Sequence, residues 1–85
     1  MASRSRVTDR ELSTIFRDVQ DTMNERYSDT YRRVWTQYTR IGKEKIHVMF
    51  TLFPMVGGYT TLSFHDIGVT TLSVDSLMGL VSVDS

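Results

Sequence analysis

No cysteine occurs in the 85 residues, which excludes disulfides, cysteine–metal centres and thiol chemistry at once. Histidine is nearly as scarce. His47 and His65 are the only two, too few for a histidine-built metal centre. Neither glycine nor proline interrupts residues 9–41, and Pro54 is the only proline. Long apolar runs are missing as well. The greasiest stretch, residues 46–56, is broken by His47, Thr51 and Pro54 and falls short of the ~20 residues a membrane helix needs. The opening MASRSR leads into charge, so no secretory leader is expected. No P-loop, dinucleotide-binding glycine pattern, Gly-x-Ser-x-Gly or metal-spaced histidine cluster is present, and Gly57-Gly58 alone is too short to cradle phosphate. These absences predict a single-domain, cytoplasmic chain with no cofactor, no metal, no membrane association and no enzymatic activity.

Charge is present but unevenly placed. All ten Lys and Arg and seven of the ten acids precede residue 46, for a net +3, while Asp66, Asp75 and Asp84 leave the remainder at −3. A neutral total argues against a general polyanion binder. The asymmetry would let opposite halves of neighbouring copies attract. A short chain also buries only about 60–65% of its unfolded surface, so self-association or a larger partner is the expected external support.

Residues 1–7 read as a flexible arm. Thr8 followed by Glu11 is a capping box, with Val7 and Leu12 placed as a hydrophobic staple and Asp9 at the positive end of the helix dipole. Leu12, Phe16, Val19, Met23, Tyr27, Tyr31, Val34, Tyr38 and Ile41 then recur in steps of three and four, the helical period. Gly42 supplies a C-cap. The spacing therefore predicts a helical segment over 8–42. It is either one coiled-coil-like helix about 50 Å long, or two helices broken near Ser28-Asp29-Thr30. The continuous form would overhang any sheet and predicts a dimer or a helical partner; the broken form permits a monomer.

From residue 46 the period becomes two. Ile46, Val48, Phe50 and Leu52, then Leu62 and Phe64, then Leu72 and Val74, and finally Val81 and Val83 make one apolar face of a pleated sheet, with hydroxyl residues opposite. Pro54 to Gly58, His65 to Gly68 and Asp75 to Gly79 read as the turns. The fold class is α+β: an N-terminal long helix or helix pair followed by a three- to four-stranded antiparallel β-meander over 45–84.

Two surfaces stand out as candidate sites. Tyr27, Tyr31, Trp35 and Tyr38 fall near one helical face and would suit a protein interface. Leu80, Val81 and Val83 lie in a terminal edge strand with few charges, open to pairing with another chain. Arg32, Arg33, Arg40 and Lys43 make the 26–45 segment basic and interleave with the aromatics, which is the pattern of a nucleic-acid surface. They do not share one helical face, and Asp29–Arg33 is spaced as an i,i+4 ion pair. His65-Asp66 is the only polar pair hinting at catalysis, and its place in a turn gives a simpler account of it. The resulting expectation is a protein that binds itself as a homo-oligomer or docks on a larger protein, of the accessory or structural type that compact genomes, viral ones included, encode. The alternative is a small nucleic-acid-binding protein using residues 26–45.

Overall fold

The capping box works as the spacing implies. Thr8 Oγ1 accepts the Glu11 N–H at 3.1 Å and Glu11 Oε1 accepts the Thr8 N–H at 2.9 Å. This starts helix α1, Asp9–Arg26. The computed structural model describes residues 7–81. Val7 is no part of a loose arm, being only 5% exposed beneath that cap; the rest of the expected arm lies outside the described residues. Leu12, Phe16, Val19 and Met23, four residues of the predicted stripe, are the buried side of α1.

The helix does not continue to residue 42. It ends at Arg26, where the Tyr27 N–H donates to the Met23 carbonyl at 2.9 Å. After the turn at 27–30 the chain enters strand β1, Tyr31–Arg40. A break does fall at Ser28-Asp29-Thr30, but a strand follows it rather than a second helix. Tyr31, Val34, Trp35, Thr36, Tyr38 and Thr39 are aromatic or β-branched and favour a pleated, half-buried surface. Their alternation at Val34, Thr36 and Tyr38 coexists with the three-and-four spacing of Tyr31, Val34, Tyr38 and Ile41. Sheet pairing, which buries Val34 and Thr36, decides between the two. The long helix, and the overhang that predicted a dimer or a helical partner, are therefore absent from residues 9–40.

Strands β2, Lys45–Pro54, and β3, Thr60–Gly68, complete a three-stranded antiparallel sheet of order β1-β2-β3. Val34 lies opposite Leu52, Thr36 opposite Phe50 and Tyr38 opposite Val48. On the other side Phe50 lies opposite Leu62 and Val48 opposite Phe64. His65 to Gly68 is no hairpin turn; it belongs to β3. The register slips between Ile46 and Val48, and Asp66 takes a left-handed φ of 58° there, a conformation aspartate tolerates better than most residues.

The meander ends at Gly68, earlier than the sequence suggests. Residues 69–73 turn, and Val74–Leu80 form a second helix, α2. Ser73 and Ser76 make its capping box, each hydroxyl accepting the other's N–H, at 3.1 and 2.9 Å. The strand expected at 70–74 is thus replaced by a turn and the start of a helix, and of the one expected at 80–83 the described residues, 80 and 81, end that helix. Leu80 is the last residue of α2 and Val81 its buried C-cap, while Val83 lies outside the described residues. The reason is side-chain placement: Val74, Leu77, Met78 and Val81 follow i, i+3, i+4, i+7, so a helix brings all four to one side. Leu77, Met78 and Val81 close one core with the α1 stripe and with Val34, Ile46, Val48, Phe50 and Leu52. Burying a side chain such as Phe50 fully is worth about 1.5–3 kcal/mol.

Candidate functional site

Alternation along a strand sends successive side chains to opposite faces. The core takes the even positions of β1 and β2, so the odd ones form a second face: Arg33, Trp35, Gln37 and Thr39 on β1, and His47, Met49, Thr51 and Phe53 on β2. Thr61, Ser63 and His65 on β3 continue it. Across the strands Arg33 meets Phe53, Trp35 meets Thr51, Gln37 meets Met49, and Thr51 meets Thr61. Trp35 is 45% exposed here. None of these positions carries a carboxylate.

The two ends of this face differ. At one end Phe53 and Tyr59 lie with ring centroids 5.6 Å apart, and the Arg32 guanidinium sits 5.6 Å from the Phe53 centroid. Arg32 Nε also donates to the Pro54 carbonyl at 3.2 Å, so this arginine is fixed beside the aromatic pair. Tyr59, Met55 and Val56 stand exposed in the adjoining loop, whose Gly57 has a φ of 101° that a side-chain-bearing residue would rarely adopt. At the other end His47 and His65 stack, centroids 4.0 Å apart, and His47 Nε2 is buried without a hydrogen-bond partner among the described residues. His65 is therefore set against another imidazole from β2, not arranged with Asp66 as an acid–base pair.

The aromatic series expected on one helical face is divided three ways. Tyr27 and Tyr31 pack edge to face, centroids 6.4 Å apart, where α1 turns into β1. Tyr38 turns inward and stacks on Phe16 at 4.9 Å. Trp35 alone of the four lies on the outer face. The basic set is also dispersed. Arg40 Nε pairs with Asp9 Oδ1 at 2.8 Å, and Arg40 Nη2 donates to the Val7 carbonyl, tying the start of α1 to the end of β1. Lys43 lies in the turn after β1, well away along the strand from Arg32 and Arg33. The outer-face partners Met49, Phe53 and Tyr59 were not singled out from the sequence. The signal for them was the odd phase of residues 47–53, which becomes a surface only once no helix covers it.

This face can offer dispersion, aromatic and cation–π contacts and side-chain hydrogen bonds. Among the described residues no group of three or more His, Cys, Asp or Glu could hold a metal ion, and no described helix is long and apolar enough to cross a membrane. A cleft of about 360 Å³ lies elsewhere, between α1 and the 69–72 turn; Glu11, one of its lining residues, is engaged in the α1 cap. The chain matches no protein-family model, and no curated protein or solved structure shows a significant likeness to it.

Proposed function

We propose that this chain is a non-enzymatic protein-binding module that acts in assembly, on copies of itself or on a larger protein, and that the outer face around Trp35 is its recognition surface. One observation carries the reading. The core closes without Trp35, and this large aromatic, 45% exposed, is presented by strand β1. Tryptophan, tyrosine and arginine supply most of the binding energy at protein interfaces, and here Trp35, Tyr59 and Arg33 share one surface. A cysteine-free chain suits a reducing compartment such as the cytoplasm, and accessory or structural roles, viral ones included, fit a module of this kind. Affinity capture comparing wild type with Trp35→Ala tests the reading. Loss of a saturable partner, with folding unchanged by circular dichroism, supports it; equal capture by both proteins overturns it.

A second reading draws on the same face. Trp35, Phe53 and Tyr59 are stackable rings beside Arg32 and Arg33, with no carboxylate at the odd strand positions, which is the chemistry of a single-strand nucleic-acid platform. Trp35 is the only tryptophan, so its fluorescence reports on this directly. Quenching by an oligothymidylate that weakens steeply with salt and disappears in Arg33→Glu would favour nucleic acid over protein.

A further inference from the structure

The two edges of the sheet are treated differently by the rest of the chain. On β1, Val34 turns its backbone outward. Its N–H donates to Asn24 Oδ1 at 2.7 Å, and its carbonyl accepts from Asn24 Nδ2 at 2.9 Å. The next outward N–H, that of Thr36, donates to Gln20 Oε1 at 2.9 Å. Two amide side chains of α1 thus stand where a fourth strand would pair, and this edge is closed.

Parity then assigns the opposite edge. In an antiparallel ladder each residue sends both its backbone groups to one side, alternating along the strand. Since Val34 and Thr36 point outward, Trp35, Gln37 and their partners Thr51 and Met49 bond between β1 and β2. The even residues of β2 bond to Leu62 and Phe64. That leaves the backbone groups of Thr61 and Ser63, which precede the register slip at residues 65–66, directed away from the sheet. No side chain of a described residue is bonded to them, in contrast to β1. Residues 60–64 of this strand carry no charge and no proline, the usual devices against edge pairing. On the core side, Leu62 and Phe64 are only half-buried.

We infer that β3 pairs antiparallel with β3 of a second copy, about a two-fold axis through Ser63, to make a continuous six-stranded sheet. The register follows from the side chains. Among symmetric registers centred on residues 61 to 65, only the one centred on Ser63 sets Leu62 opposite Phe64 of the other copy and Phe64 opposite its Leu62. Every other places one of these two against Gly58, Thr60, Asp66 or Gly68. Hydrophobic pattern selects register in this way because a slip exposes the apolar set. A second copy is the occupant that fits: residues 60–64 are uncharged and the strand's one acid, Asp66, falls opposite Thr60 of the other copy in this register, so the paired strands do not repel, and the two half-buried side chains complete each other under two-fold symmetry. The pairing uses the backbone edge of β3, whereas the recognition reading rests on the side chains around Trp35, so either reading can fail alone.

The cysteine-free, 9.8 kDa chain makes the test direct. Sedimentation of wild type at high micromolar concentration should give twice the chain mass. Ser63→Pro removes an outward N–H while leaving the β2–β3 ladder intact, and should give the single-chain mass with an unchanged circular dichroism spectrum. Should that variant fail to fold, Ser63→Cys decides. Mild oxidation should trap a covalent dimer, while Gln37→Cys, on distant β1, should not. The Trp35→Ala protein should remain dimeric. Single-chain mass for wild type overturns the pairing and leaves the edge to a strand of another protein. A dimer that persists in folded Ser63→Pro, or equal cross-linking of the two cysteine variants, overturns it as well.

Discussion

Phe50 and Met49 are neighbours on β2, yet Phe50 is fully buried while Met49 is half-exposed. The same contrast separates Val34, 1% exposed, from Trp35, 45% exposed. One face of the sheet is pressed against α1 and completed by α2; the other meets no helix among the described residues. Comparing them shows how so small a chain divides its labour. The buried apolar side chains go to one side, and the largest side chain, Trp35, is left on the other. The inner side accounts for stability, and the outer side is free to vary its chemistry without unfolding the protein.

The largest break in that contrast should come from Phe50→Ala. Truncating a fully buried phenylalanine costs about 3–5 kcal/mol, a large share of what a small domain has, so the urea midpoint should fall steeply. A shift as small as that of a surface variant would show the core to be packed otherwise. Next is Asn24→Leu, which strips both partners from the Val34 backbone at the closed edge. Leaving these groups unpaired should cost about 1–3 kcal/mol and add concentration-dependent association at β1; unchanged melting together with unchanged mass would count against the amide seal. Thr8→Ala removes the acceptor for the Glu11 N–H, and a loss of about 1 kcal/mol in thermal unfolding is expected from an N-cap of this type. The smallest effect on stability belongs to Trp35→Ala, within about 0.5 kcal/mol of wild type as for other surface changes, even as binding is lost. Destabilisation approaching that of Phe50→Ala would place Trp35 in the core and erase the distinction between the faces.

How much of this was legible in the chain differs by segment. The start of α1 could be read from Thr8, Glu11 and Leu12 because capping is a local event, satisfied within four residues. The inner face of β2 could be read from Ile46, Val48, Phe50 and Leu52 because their alternation is unbroken. Residues 31–40 could not be, since helical and strand periods overlap there and only the partner strand chooses between them. Residues 74–81 carried a helical spacing and a Ser73 cap, but the alternation of Thr70, Leu72 and Val74 ran into them and suggested strand. The outer face was hidden for a related reason. Trp35 and Phe53 lie eighteen positions apart and become neighbours only through the β1–β2 register.

The residues alone determined the α+β class, the N-terminal helix, the alternating strand β2 and the absence of cysteine chemistry, because composition, caps and short periods act over a few neighbouring positions. Only the tertiary structure decided that β1 is a strand, that Trp35 faces outward, that Asn24 and Gln20 seal one edge and that β3 leaves the other bare among the described residues. Each of these depends on which distant segment takes up a backbone hydrogen bond or covers a side chain, and that choice is made by the whole packed molecule.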